Sequence, residues 1–406
     1  MSLGLGRQEG NLASVCDNRR MRPAPLRTDR SNAFAHYSMS VRVPKILDDV
    51  ISRNSDLPPG ALRAVARLRD EIAGDAKLPS LRFPAPDASE WEAAVAAYDG
   101  QTWLATDWFF AECYVYRCLM IAVRYWESGQ DPFAAAKREE LGGEALWRGL
   151  DGALAGVSDV IEVHVAELML RALWGNRVDL SYAVGVAFGA AGHSDDLLCD
   201  DRQRAIPALA RPGGDVHIIA DNTGSELSTD LALADTLIAR AGARVSLHVK
   251  IHPTFVSDAI AGDVWALLAA MDGRGGGAAE LAARLRRAWD DDRLRILPDP
   301  FWNGPRFLWE RPARLGRVLD GATAVVLKGD ANYRRAVGDA IYPDGFGFAA
   351  ATDYFPAPLL ALRTMKSDAL AGLAPGRSAE LDAIDREWRI NGRRGVIQLG
   401  GRGAAA

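Results

Sequence analysis

Cysteine is scarce in this chain, with four among 406 residues, and no two of them (Cys16, Cys113, Cys118, Cys199) form a C-x-x-C pair. That excludes a disulfide framework and a zinc-thiolate site, and it fits a reducing, cytoplasmic setting. Long apolar runs are missing as well. The longest uncharged, mainly apolar stretch, Tyr182 to Gly192, falls well short of the roughly 20 residues a membrane helix requires. No apolar segment of the signal-peptide kind opens the sequence, and residues 1–32, carrying Arg, Pro, Asn and Asp, read as a poorly ordered leader. Charge of one sign is lacking too: 48 basic against 53 acidic residues leave a formal net of -5. Without a bulk positive field there is no basis for non-specific binding of nucleic acid or of an anionic membrane, so any anion must be bound locally.

What is present is the apolar content of a globular protein, 49% hydrophobic with 11 Trp, 12 Phe and 9 Tyr, on a chain long enough for two domains. From Phe34 to about Ala190 apolar residues recur at three- and four-residue spacing, as in Trp91, Ala94, Val95 and Tyr98, which predicts a mainly helical region over 33–212. The Trp103 to Trp126 segment sets Trp108, Phe109, Cys113, Tyr116, Met120 and Val123 at helical intervals. Asp107, Glu112, Arg117 and Arg124 among them read as solvated charges on a core helix.

After Gly213-Gly214 short β-branched or apolar runs alternate with helix-length amphipathic runs, the pattern of an α/β domain over 213–406. The expected strands are Val216 to Ala220, Arg244 to Lys250, Arg293 to Leu297, Thr323 to Leu327, Pro358 to Leu362 and Val396 to Leu399. The expected helices are Ser225 to Ala241, Asp258 to Met271, Ala278 to Trp289, Pro305 to Leu319, Asn332 to Val337 and Ser378 to Arg389. Strands separated by helices pair mostly in parallel, which brings their C-terminal ends to one edge of a Rossmann-like sheet. Gly273 to Gly277 follows a helix and reads as a connector, not a dinucleotide turn.

Polar residues gather at those strand ends. Asp221 to Glu226 follow the first strand, His248 to Asp258 surround the end of the second, Lys328 to Arg334 follow the fourth, and Arg363 to Lys366 follow the fifth. Asp221 and Asp258 stand about one strand-helix-strand unit apart and are expected side by side. Two carboxylates in a low-dielectric cleft need compensation, and with the Asn222 amide oxygen they make the hard oxygen set preferred by magnesium or manganese. Lys328, Arg334, Arg363 and Lys366 are then counter-charges for an anion; with a metal and a helix N-terminus capped by Ser225, they describe a phosphate site. Each residue alone has a plainer reading: Asp221 as a turn residue, Asp258 as a first-turn dipole partner, the lysines as solvated. Their convergence on one edge favours the site. His248 and His252 read as packing groups or as groups that support the metal ligands from behind, not as ligands themselves. Asn176 and Asp179, in a Gly-Asn-x-x-Asp arrangement, either face the same site or cap and pack a helix.

Asp221-Asn222-x-Gly224-x-Glu226 with Thr229-Asp230, His248-x-Lys250-x-x-Pro253-x-Phe255-Val256-Ser257-Asp258, Lys328-Gly329-Asp330-x-Asn332-Tyr333-Arg334 and Arg363-Thr364-x-Lys366 resemble the damage-control phosphatases formerly called domain of unknown function 89. The last motif marks subfamily III, some members of which are named acidic-residue methyltransferase-like. Ala111 to Arg117 and Leu173 to Ser181 look familial too. The resemblance implies a helical N-terminal region packed on a three-layer α/β/α domain. It implies Asp221, Asn222 and Asp258 as metal ligands, and Glu226, Asp330, Asn332, Tyr333, Arg334 and Lys366 as substrate contacts. It further implies metal-dependent hydrolysis of sugar phosphates such as fructose 1-phosphate and fructose 6-phosphate, with manganese, cobalt, nickel or magnesium.

The resulting expectation is a phosphomonoester hydrolase in which Asp221, Asp258, Lys328 and Lys366 carry catalysis, with Arg363 among the binding groups. Either a water or a carboxylate is the nucleophile. An S-adenosylmethionine-dependent methyltransferase acting on protein carboxylates is the first alternative; it needs neither metal nor clustered cations, and the chain lacks a glycine-rich first turn for the adenosyl group. A non-catalytic sugar-phosphate binding protein is the second, and it has little use for paired carboxylates.

Overall fold

The structure, a computed structural model, describes residues 22–81, 84–156, 158–175 and 196–405. Cys16, Asn176, Asp179 and the 182–192 apolar run lie outside the described residues. The described residues contain seven strands: β1 Leu197–Asp200, β2 Asp215–Ile219, β3 Arg244–Val249, β4 Leu294–Pro298, β5 Ala324–Lys328, β6 Leu359–Thr364 and β7 Gly395–Gly400. They form one sheet in the order β1-β7-β6-β5-β2-β3-β4. Every neighbouring pair is parallel except β6 with β7. The α/β, mostly parallel expectation therefore holds, and all six expected strands are found within a residue or two. The seventh, β1, has no counterpart among them; it is four residues long, only partly buried, and offers no apolar alternation to read.

Central parallel strands are apolar on both faces because helices cover both. Val216, Ile218, Val245, Leu247 and Val326 face a layer containing Leu227, Leu231, Leu267 and Leu281. Ile219, Val325 and Leu327 on alternate positions face Phe301, Trp302 and Leu315. The helix Trp108–Ala122 joins its own cluster of Trp108, Phe109 and Tyr114 to Tyr333, Val337, Ala361 and Met365, so the helical region packs on the segments that follow β5 and β6.

Several local expectations need correcting. Ala261–Arg274 is the helix expected from Asp258, and Asp258 stands ahead of it in an isolated bridge with Asn222. The stretch 305–319 divides into a 3₁₀ turn Leu308–Glu310 and a helix Ala313–Leu319, because Pro312 keeps the residue before it out of the helical region. Glu112 and Arg117 are not solvated: they are 5% and 0% exposed, and each meets a buried opposite charge, Arg334 at 2.6 Å and Asp87 at 2.8 Å. Residues 22–32, expected to be loose, are held by Leu26 N–H donating to Asp339 O (2.8 Å) and Thr28 N–H to Thr106 O (2.9 Å). Among the described residues no helix is long and apolar enough to cross a membrane.

Candidate active site

β2, β3, β5 and β6 run parallel, so their C-terminal ends share one edge. The chain leaves β2 for β3 and β4 on one side, then crosses to β5 on the other, which makes the β2–β5 boundary the switch point where such sheets open a crevice. Asp221 follows β2 there and Gly329 follows β5. Gly329 has φ +77, and a Cβ built on it would lie 1.9 Å from Asp221 Oδ2. Only glycine lets the carboxylate rest on that backbone.

Asp258 arrives from the β3 side, as its spacing predicts. Ala259 N–H donates to Asp221 O and Thr223 N–H to Ser257 O, both at 2.8 Å, so the two loops zip together and set the carboxylates side by side. The Asn222 amide lies between them. Its Nδ2 donates to Asp221 Oδ2 and Glu226 Oε1, both at 2.9 Å, and its Oδ1 accepts from Ser257 Oγ at 2.5 Å. Burial, then repulsion by Asp258 and Glu226, pushes Asp221 well above the usual carboxylate range. Burial likewise pushes Asp258 up to about 6, against the pull of Lys250, whose Nζ lies 3.2 Å from Asp258 Oδ2. Among the described residues Asp221 and Glu226 have no basic partner at ion-pair distance.

The predicted cations differ in what they touch. Lys328 is 1% exposed and donates to the Ala172 carbonyl at 2.7 Å while pairing with Asp230 at 2.9 Å. Burial pulls its pKa down, but the charges of Asp230, Glu226 and Asp221 more than offset this and hold it above the ordinary value. Arg334 is clamped between Glu112 and Asp339, both at 2.6 Å, and lies over the Trp108 ring. Arg363 binds Asp330 (2.7 Å), the Ser367 carbonyl and hydroxyl (2.9 Å each) and the Ala369 carbonyl. Lys366, exposed at the mouth of the cleft, forms no ion pair among the described residues. Desolvation lowers its pKa, and Glu226, Asp221, Asp330 and Asp258 outweigh that and raise it.

Of the remaining predicted contacts, Asp330 accepts from Arg363 and Ser367, all through Oδ1. Asn332 donates to the Ala220 and Lys328 carbonyls (3.1 and 2.9 Å), tying β2 to β5, and its buried Oδ1 has no hydrogen-bond partner among the described residues. Tyr333 is fully buried and donates towards Ala371 O (3.0 Å) and Gln398 Oε1 (2.9 Å). Ser225 is the first helical residue, not the cap. Gly224 is the N-cap, and Ser225 N–H is satisfied by Glu140 Oε1 at 3.0 Å, a residue no local pattern marks. Lys250 is legible within its motif, but the motif alone gives it no role. Asn303, from the turn after β4, donates to His252 O (2.9 Å) and Thr254 Oγ1 (2.6 Å) and has no sequence signal.

Does this set suit a divalent cation? Among the described residues no group of three or more His, Cys, Asp and Glu side chains is arranged to hold a metal ion. Asp221 and Asp258 are nevertheless buried together and both destabilised as anions; Asp258 Oδ2 has Lys250 Nζ at 3.2 Å, while Asp221 has no cation at ion-pair distance among the described residues. Two hard carboxylates with an adjacent amide and one lysine at ion-pair distance are still short of positive charge, which is the condition a divalent cation relieves. Turning the Asn222 amide over would present its oxygen to the carboxylates and its nitrogen to Ser257 Oγ, the two ends being alike in shape.

The family model described as the damage-control phosphatase ARMT1-like domain matches residues 38–381. The chain belongs to this family. Its relatives include the damage-control phosphatase ARMT1 of Danio rerio, 28% identical, with 93% of this chain and 97% of that one covered. Those of Mus musculus (28%) and Homo sapiens (26%) each cover 93% of this chain and 99% of their own. These names are phosphatase names and do not favour the methyltransferase reading. A crystal structure of a DUF89 family protein from Pyrococcus horikoshii superposes with a TM-score of 0.50 at 13% identity, over 90% of this chain and 98% of that one, which supports the fold.

Proposed function

We propose that this family member is a metal-dependent phosphatase of sugar phosphates such as fructose 1-phosphate or fructose 6-phosphate, acting in the cytoplasm. In this reading residues 33–212 brace a catalytic unit at 213–406, and Asp221, Asn222 and Asp258 hold one divalent cation, manganese first among manganese, cobalt, nickel and magnesium. The observation that carries the reading is the buried Asp221–Asp258 pair at the switch point, with Lys366, which has no ion pair among the described residues, held above its ordinary pKa partly by their charges. When bound, the cation supplies a Lewis acid for a phosphoryl oxygen.

The chain's own groups do the rest. Lys366 neutralises a second phosphoryl oxygen from the mouth of the cleft, and Lys328 adds its charge from beneath while anchored to Asp230. Asp330, held through Oδ1 by Arg363 and Ser367, offers Oδ2 to a sugar hydroxyl, and Glu226 offers a second acceptor. Asn332 and Tyr333 fix the backbone of that wall, and Arg334 and Arg363 act through the carboxylates they bind.

The test is release of inorganic phosphate from a panel of sugar phosphates, with chelator and with each of the four metals restored. Metal-dependent turnover that disappears in Asp258→Ala is expected. Turnover unaffected by chelation, or full activity in that variant, would overturn the reading.

A further inference from the structure

The helix Trp108–Ala122 reaches both loops that form the site, although it lies far from them in sequence. Glu112 holds Arg334 beyond β5 at 2.6 Å, and the Tyr116 ring packs on Phe255 beyond β3 with centroids 5.2 Å apart. Arg117 does something less obvious. Its Nε lies 2.8 Å from Asp87 Oδ2, and the same carboxylate oxygen lies 3.6 Å from His252 Nε2. Asp87 and Arg117 are 0% exposed and His252 is 1% exposed. His252 Nδ1 is turned towards its own Pro253 carbonyl at 3.0 Å, so its outer nitrogen is the one presented to Asp87. Burying such a cluster costs more than an apolar trio of the same volume, and its surroundings, Trp126 against both Arg117 and His252, would pack an apolar trio well. Stability alone does not account for it.

The backbone just beyond His252 gives a reason. Phe255 has φ 50 and Val256 has φ 72, two successive left-handed residues that are not glycine, one of them β-branched. Ser257, which meets Asn222, and Asp258 come immediately after. A turn so disfavoured persists only where its surroundings over-determine it. Asn303 pins the stretch on one side through His252 O, Thr254 Oγ1 and the Ile251 N–H (2.8 Å), and on the other the Asp87 carboxylate, held by Arg117, sits against His252 at 3.6 Å, a contact of charge and packing beyond hydrogen-bond reach.

We infer that Arg117 is a positioning residue: acting through Asp87 and His252, it holds the Phe255-Val256 turn left-handed and so sets the Asp258 carboxylate beside Asp221 in cation-binding register. The inference rests on the reading that Asp221, Asn222 and Asp258 bind a divalent cation. Supporting groups of this kind around metal ligands are worth about 10- to 100-fold in metal affinity.

The test is calorimetric titration of the full chain with Mn²⁺ alone, alongside urea denaturation. Asp258→Asn should weaken binding by about 100-fold or more. The double variant Asp87→Asn/Arg117→Gln, which leaves no orphan charge, should weaken it by about 10- to 100-fold in folded protein. Adding Val256→Gly to that background should recover about tenfold, since glycine takes the left-handed conformation without penalty. A packing defect would not be repaired by a glycine. If the double variant does not fold, His252→Asn, which keeps a polar group near the Nδ1 position and removes the outer nitrogen with the rest of the ring, should show the same loss and the same recovery. Affinity within about twofold of wild type in the folded double variant, or no recovery with Val256→Gly, overturns the positioning role while the metal reading stands. Wild-type protein that does not bind Mn²⁺, or Asp258→Asn that binds it equally well, overturns both.

Discussion

Gly329→Ala is the sharpest single-atom probe of the crevice. The added Cβ would sit 1.9 Å from Asp221 Oδ2, while real Cβ contacts essentially never fall below 3.0 Å, so the carboxylate must retreat by more than about 1 Å. Misplacement of a reacting group on that scale costs on the order of 100-fold in rate. A second cost is separable: φ +77 is left-handed, and alanine there loses about 1–2 kcal/mol of stability relative to glycine. Gly213→Ala isolates that second cost, because Gly213 has φ +68 and nothing within 4 Å of the built Cβ. Both variants should therefore lose about 1–2 kcal/mol in urea denaturation. Only Gly329→Ala should also lose about two orders of magnitude in kcat/KM for phosphate release, together with affinity for Mn²⁺. Gly329→Ala with activity within threefold of wild type, or equal activity losses in the two variants, would refute the argument that Asp221 must rest on that backbone.

Three further outcomes are expected. Lys366→Met should lower kcat/KM about 100-fold while leaving the urea midpoint unchanged, as a preorganised charge at the reacting group demands; a stability loss without an activity loss would count against its role. Glu112→Gln leaves the Arg334 guanidinium short of one buried partner and should cost about 3 kcal/mol by urea denaturation, with less than 1 kcal/mol refuting the buried pairing. Burial, with His217 adding, pushes His248 down to about 3 from an ordinary 6.5, so the folded chain keeps this imidazole neutral where the unfolded chain takes up a proton. Stability should hold above pH 6.5 and fall below it by roughly 1.4 kcal/mol per pH unit from this group. Denaturation of His248→Gln at pH 7.5, 6 and 5 should give a visibly flatter slope, and an unchanged slope would reject the assignment.

The order of elements was legible because buried parallel strands are written as short apolar runs and their crossover helices as amphipathic ones. β1 escaped because a half-buried edge strand of four residues carries neither signature. The placement of the candidate site was legible as polar residues trailing strands, and Asp221 beside Asp258 followed from one crossover length. Pairings were not legible. Arg334 meets Glu112 across 222 residues and Lys328 meets the Ala172 carbonyl across 156, and no local pattern encodes such a partner. The same blindness made Glu112 and Arg117 look solvated, since a charge written on a helix shows neither its burial nor what neutralises it. The left-handed turn at Phe255-Val256 was equally hidden, because the tertiary braces that impose it override what those residues prefer.

The placement of β7 between β1 and β6 has a consequence for biosynthesis. Among the described residues β1 pairs with no other strand, so from the moment it leaves the ribosome it waits for a neighbour encoded roughly two hundred residues later, about 10–40 s at ordinary elongation rates. For roughly the last thirty residues of that wait β6 also stands as an open edge, with its backbone groups available to any passing strand. Removing residues 395–400 would thus unseat two strands, not one, and expose an interior edge of the sheet. A nascent chain halted before Gly395 should be far more sensitive to protease within β1 and β6 than the finished protein.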